Sequence, residues 1–428
     1  MEADTGRRYR LYPTGEQAQQ LTSWGHTCRW LYNTALEQRQ FAWRQRKVTL
    51  GYSAQCAFLT EARRELDWVA GLPAQSGQQV LRHLDQAYRN WWDPRHPAGP
   101  PTRKRKSSRL SVPFPGQAIS VRRLNRRWGA VKLPKIGEVK FRWSRSLGGV
   151  IRNAVVSFDG TAWHVGFGIH AGITKPKTHA RPDTVVGVDR GVTIALAMSD
   201  ERLWNRTFTS PGQERTLARL KSKAGRQETA RRQLGAATSN RARRVRAQIA
   251  RIEAKVRHRR GDFVAWAANR LCGRYAIVKI ERLDIHAMTT TAKGTIEEPG
   301  INVRQKAGLN RAILDKGWGL FHTALDNRAR FTGTRIGRVP AAYTSQRCNH
   351  CGFTHRNNRE SQAVFWCRSC GYQAHADVNA AINIRDAAEV APPYTGRAVR
   401  DRNRKASCRP PTQRRPQPAL ETGISRIL

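Results

Sequence analysis

Four cysteines come in two pairs, Cys348-x2-Cys351 and Cys367-x2-Cys370, with fifteen residues between them. This is the spacing of a structural zinc site, in which two short knuckles present four thiolates tetrahedrally. Gly352 and Gly371 follow the pairs, where such knuckles need positive φ or room for the backbone. A set of reduced buried thiols, or a redox pair, is the alternative, and four cysteines at this spacing in a basic chain favour zinc. Four protein thiolates close the coordination sphere. Such a site shapes the chain and leaves no position for water or substrate, so any catalysis must come from elsewhere.

Three carboxylates are the candidates. Asp189 closes the apolar run "VVGV", Glu281 closes "AIVKI", and Asp377 opens "DVNAAINI". Each alone has an ordinary reading, because Asp favours turns and caps helices. Together they offer the hard oxygen ligands that Mg²⁺ prefers. Two Mg²⁺ ions about 4 Å apart activate a water and stabilise the leaving 3′-oxygen in an attack on a phosphodiester. The chain has no G-x4-G-K-[ST] loop, no H-E-x-x-H helix and no G-x-S-x-G elbow. His258, His350, His355 and His375 lack ligand spacing, although His350 and His355 lie among the four cysteines.

The composition points to a polyanionic partner. Lys plus Arg number 77 against 31 Asp plus Glu, a net charge of +46 over 428 residues. Nucleic acid is the default partner of such a field, and an anionic membrane surface the competitor. The polar start "MEADTGRRYR" is no signal peptide, and no apolar run approaches the roughly 20 residues of a membrane span. These features predict a soluble, cytoplasmic protein without a membrane partner. Cys28, Cys56, Cys272 and Cys408 are scattered singly, which is no disulfide framework and fits a reducing compartment. The densest basic runs nominate Arg103, Lys104, Arg105 and Lys106, then Arg122, Arg123, Arg126 and Arg127, then Arg243 and Arg244 as phosphate contacts. Tyr88, Trp91 and Trp92 could stack on bases, but their helical spacing favours core packing.

The elements that must position these groups follow from periodicity. A short strand over 7–13 precedes a mainly helical stretch, 16–92, that ends at "DPRHPAGPP". Alternation with turns at "IGE" and "FDG" predicts strands across 108–171. Residues 185–198 read as two strands about a tight turn, 214–260 as a basic helical pair, 275–281 as a buried strand and 309–328 as a helix. The Pro- and Arg-rich tail from 391 to 428 reads as disordered.

The segments "VVGVDRGVTIALAMSD", "YAIVKIERLDIHAM", "LNRAILDKGWGLF" and "TSQRCNHCG…FWCRSCGYQAHADVNAAINI" resemble, in order, the RuvC-like segments and zinc ribbon of the TnpB (OrfB) family, as does the start "YRLYPTGEQ…CRWLYNTAL". This family is transposon-encoded and related to compact type V CRISPR effectors. The resemblance covers roughly residues 8–386. It implies a multidomain α/β chain with an RNase H-like RuvC nuclease core and an inserted four-cysteine zinc ribbon, beside N-terminal helical and β-rich nucleic-acid-binding modules. The implied boundaries are 1–15 and 108–171 for the β-rich module and 16–107 for the helical one. The nuclease core takes 185–340 and 375–390, and the ribbon 341–374. It further implies Asp189, Glu281 and Asp377 as catalytic Mg²⁺ ligands, and Zn²⁺ on Cys348, Cys351, Cys367 and Cys370. The implied activity is RNA-guided cleavage of double-stranded DNA, directed by a transposon-derived guide RNA, by a monomer or homodimer. A repressor without cleavage and a DNA-binding transposase accessory protein are the alternatives. Two departures stand out: Arg190 follows the first acid where the family often has Leu, and Lys279 stands two residues before Glu281 where an apolar residue is common. Lys279 would contact a phosphate, pair with Glu281 or stay peripheral.

Overall fold

The computed structural model describes residues 2–96, 98–105, 109–295, 297–361 and 363–390. Lys106, Cys408 and the 391–428 tail lie outside the described residues. Among the described residues no helix is long and apolar enough to cross a membrane.

The N-terminal half begins with β1 (Glu2–Tyr12), followed by α1 (Gly15–Arg46), α2 (Tyr52–Glu65), α3 (Asp67–Ala70) and α4 (Ala74–Trp92). Six strands follow: β2 (Leu110–Pro115), β3 (Ser120–Arg123), β4 (Trp128–Leu133), β5 (Gly137–Arg142), β6 (Val150–Phe158) and β7 (Trp163–Thr174). The seven-stranded sheet has the order β2-β6-β7-β1-β5-β4-β3. β1 starts well before the strand expected at 7–13 because β7 supplies a partner for its polar end, with Tyr9 opposite Val165 and Asp4 opposite His170. Pairing there overrides weak local propensity. A capping box of Thr14 and Gln17 starts α1. The helical and β-rich segments share one core. Leu21, Trp24, Leu31 and Leu84 of the helices pack with Val112, Phe114, Phe141 and Phe167 of the strands.

The second half builds a mixed sheet from β8 (Val185–Asp189), β9 (Leu196–Met198), β10 (Leu203–Trp204), β11 (Ile277–Glu281) and β12 (Arg335–Val339). Its order is β10-β9-β8-β11-β12, antiparallel through β10, β9 and β8 and parallel through β8, β11 and β12. The helices are α5 (Pro211–Gln233), α6 (Asn240–Arg274), α7 (Ile285–Met288), α8 (Val303–Lys316) and α9 (Trp318–Ala329). The single helix expected over 309–328 is two, α8 and α9, broken at Gly317, whose φ is 74°. Two ribbon strands, β13 (Val364–Trp366) and β14 (Gln373–His375), lead directly into α10 (Ala376–Asp386).

Strand alternation sorts this sheet's two faces. Val186 and Val188 of β8, with Val278 and Ile280 of β11, turn to one side and pack with Phe263, Leu271, Phe321 and Leu325 of α6 and α9. Gly187 turns to the other side, where α10 lies. A Cβ at Gly187 would sit 2.0 Å from the carbonyl oxygen of Ala381, so only glycine lets α10 approach this closely.

Candidate active site

Asp189 and Glu281 end neighbouring parallel strands, one residue beyond the pair Val188–Ile280. They share the parity of Gly187 and Lys279, so both side chains face α10. Asp377 stands in the first turn of α10, and its backbone N–H donates to Nδ1 of the capping residue His375 at 3.2 Å. Three acids far apart in the chain thus meet on one face. Their fields overlap: Asp189 is pushed up to about 7 by burial first and by Glu281 and Asp377 next, while Arg359 opposes the shift. Glu281 is raised from its ordinary value, chiefly by burial, with Thr344 and Arg190 opposing the shift.

Each acid has a fixed neighbour. Thr344 Oγ1 donates to Glu281 Oε1 at 2.6 Å. Arg359, from the ribbon, donates to Asp377 Oδ1 at 2.7 Å. Arg190 is buried and donates through Nη2 to the carbonyl oxygen of Glu281 at 2.6 Å, with its guanidinium 5.8 Å from the Trp318 ring centroid. It ties the two acid-bearing strand ends together from behind. Lys279 neither pairs with Glu281 nor reaches outward for a phosphate: Nζ donates to the carbonyl oxygen of Ala387, the C-cap of α10, at 2.9 Å. A cation suits the negative end of a helix dipole, so Lys279 pins α10 to the sheet.

The metal-free site predicts a pH dependence of stability. Unfolded, Asp189 loses its proton near 3.8; folded, it keeps the proton up to about 7. Its stability contribution is therefore greatest below pH 4 and falls as pH rises toward 7, by at most about 4 kcal/mol. Asp189→Asn cannot ionise. With zinc in place and Mg²⁺ withheld, that variant is expected to unfold at higher denaturant concentration than the parent at pH 8, and to match it near pH 4. Equal midpoints at pH 8 would mean that Asp189 carries its charge there without strain.

In the ribbon, the four cysteine sulfurs all lie within 4.8 Å of one another, the one such group of potential metal ligands among the described residues. Cys348 and Cys370 are 3.8 Å apart at sulfur, and Cys351 and Cys367 3.6 Å. A tetrahedron with Zn–S of about 2.3 Å requires about 3.8 Å, so the donor set fits zinc. Gly352 (φ 78°) and Gly371 (φ 72°) close the two knuckles, each donating to the carbonyl of the first cysteine of its pair. His350 stacks on Tyr372 and His355 caps a short turn; neither joins the sulfurs. The three carboxylates do not form a second such group among the described residues.

The ribbon is braced against the acids. Asn379 of α10 accepts from the Asn349 N–H at 3.1 Å and donates to the Arg347 carbonyl at 2.8 Å, and Asn383 donates to the Thr344 carbonyl at 2.9 Å. Thr344, Arg359, Asn379 and Asn383 escaped the sequence reading. Only the two asparagines carried a signal: polar residues four apart on a helix face that is otherwise apolar.

The basic candidates sit on three separate elements. Arg103, Lys104 and Arg105 border an open cavity of about 1080 Å³ beside α1, where Lys104 bonds Asn33 through its backbone and lies 4.0 Å from the Tyr32 ring. Arg122 is held in a two-pronged pair with Glu138, and Arg123 lies over Trp143. Arg126 and Arg127 are exposed at the β3–β4 turn, and Arg243 and Arg244 on α6. Tyr88 is buried as expected, whereas Trp92 is 54% exposed.

Three family models match the chain: "Helix-turn-helix domain" over residues 1–47, "Probable transposase" (OrfB, IS605 type) over 169–292, and "Cas12f1-like, TNB domain" over 318–384. The first of these segments is a strand and one 32-residue helix here. The chain is 31% identical to a protein of Escherichia coli (strain K12) named "Putative RNA-guided DNA endonuclease InsQ", over 88% of this chain and 90% of that one. It is also 31% identical to a Streptomyces pristinaespiralis "Putative RNA-guided DNA endonuclease" over 98% of both. Its fold is similar to the protein in "Cryo-EM structure of the Cas12f1-sgRNA-target DNA complex", with a TM-score of 0.53 at 12% identity, covering 90% of this chain and 99% of that one. On these matches the chain belongs to the TnpB, or OrfB, family.

Proposed function

We propose that this chain is a guide-RNA-directed DNA endonuclease whose Asp189, Glu281 and Asp377 hold two Mg²⁺ ions. The observation that carries the reading is the meeting of three carboxylates, Asp377 buried and Asp189 and Glu281 half-buried, on the α10 face of the five-stranded mixed sheet, in a chain of net charge +46. The names of its full-length relatives agree with it. Gathering three acids in a site partly withdrawn from water, with few counter-charges, is costly unless a cation joins them. Bound Mg²⁺ would supply a nucleophilic water and neutralise the leaving oxygen.

The chain's own groups then have distinct tasks. Asp189 must release its proton before it can ligate a metal. Thr344 orients one oxygen of Glu281 and leaves the other open to a metal. Arg359 neutralises Asp377 in the metal-free protein, and once that carboxylate takes a metal its guanidinium can turn to a phosphate oxygen. The ribbon, with zinc on its four thiolates, carries Arg359 and Thr344 to the site and grips nucleic acid beside it. Sequence choice falls to base pairing with the guide, while Arg103, Lys104, Arg105, Arg243, Arg244 and the other exposed basic residues bind phosphates. The β-rich and helical segments cradle the duplex as one N-terminal body.

The test is to express the chain with its native flanking DNA, sequence the RNA that co-purifies, and challenge the complex with a plasmid library matching that RNA. A discrete RNA and Mg²⁺-dependent cutting are expected. Target binding without cutting would instead make the protein a repressor.

A further inference from the structure

The C-terminal ends of α1 and α4 leave two large aromatic rings uncovered. Trp43, in the last turn of α1, is 55% exposed, and Trp92, the last residue of α4, is 54% exposed. Both line a cavity of about 440 Å³, closed on its other sides by Val48, Leu50, Pro100 and Pro101. That volume lies at the lower end of sites that accept a small organic group.

The floor is rigid. Tyr88 and Trp91 also line the cavity, with ring centroids 5.3 Å and 6.4 Å from that of Trp92. The buried Arg39 also borders the cavity, its guanidinium carbon 5.0 Å from the Tyr88 ring centroid. Gln55 Oε1 at 2.8 Å and Asp85 Oδ1 at 3.1 Å fix that guanidinium in place. A preorganised aromatic surface loses little entropy when a flat partner settles on it.

The charges select the partner. Among the described residues no acidic residue lines the cavity, Arg44 stands in its wall, and Arg46 and Lys47 are exposed beside it. Lys47 Nζ sits 5.9 Å from the Trp43 ring. An apolar peptide would gain nothing from that rim. A base inside a duplex has no free face to offer. A flat ring that carries a phosphate satisfies both wall and rim.

We propose that this cavity is a stacking pocket for one unpaired nucleobase, with the adjoining phosphate on Arg44 and Lys47. The inference rests on the nucleic-acid-binding part of the function proposed above, and not on cleavage. Guide RNA and a DNA strand share this chemistry.

The test uses the full chain without Mg²⁺ and three short probes: oligothymidylate, its ribo counterpart and an abasic strand of equal length. Trp43→Ala and Trp92→Ala are each expected to weaken binding of a base-bearing strand about tenfold. The salt dependence should keep its slope, because no phosphate contact is lost. Phenylalanine at either position should restore most of the affinity. The abasic strand should bind parent and variants alike. Whichever sugar gives the larger loss identifies the source as guide RNA or DNA. Unchanged affinity in both alanine variants, or an equal loss on the abasic strand, overturns the pocket. Cutting by the same preparation reports separately on the nuclease reading.

Discussion

Asp377→Ala is expected to slow cutting of a matched target by at least about a thousandfold, roughly 4 kcal/mol of barrier, while guide and target affinities stay within about twofold of the parent. The asymmetry follows from placement. Asp377 is 5% exposed, at the head of a helix that lies across the sheet, and touches the site rather than the basic surfaces. The alanine variant removes the carboxylate that pairs with Arg359, so part of the expected loss is a misplaced cation. Asp377→Asn keeps the shape and an acceptor for Arg359, and should be as inactive with a smaller stability change. Rates are read as single-turnover cleavage, and affinities by gel shift on the same preparations. If either variant lost target binding along with cutting, Asp377 would be a structural residue; if either still cut, the site would lie elsewhere.

Cys367→Ser is expected to abolish zinc binding, from about one ion per chain to none, and to unfold the ribbon. The ribbon's own core consists of Cys348, Phe365, Cys367 and Ala376, with Tyr372 packed against it. So few buried groups cannot offset the entropy of ordering the whole ribbon, and a structural metal must do so, with apparent binding free energies of about 10–16 kcal/mol in zinc-finger peptides. Damage should spread to the acids, since the ribbon supplies Thr344 to Glu281 and Arg359 to Asp377. Cutting is therefore expected to fall with the metal. Zinc is measured by mass spectrometry, and ribbon order by proteolysis within 341–375. An unchanged zinc content would remove these thiolates from the site, and an intact, zinc-free ribbon would show that its apolar contacts suffice.

By itself the sequence determined what depends on neighbours along the chain. Cysteine spacing defines the knuckles because C-x-x-C is a local turn. An acid at the end of an apolar strand run is legible for Asp189 and Glu281, and the start of an apolar helix is legible for Asp377. Strand parity even predicts that Lys279 and Glu281 share a face. Which face, and what it meets, was decided only in three dimensions. Gly187 admits α10 at backbone contact, and that packing brings Asp377 to two acids that lie far earlier in the chain. The use of Lys279 as a helix latch, of Arg190 as a tie behind the strand ends, and of Arg359 as the partner of Asp377 depends on contacts that no periodicity encodes. The separation of Trp92 from Tyr88 has the same origin: helical spacing places both near one face, and the end of α4 determines which one the core covers.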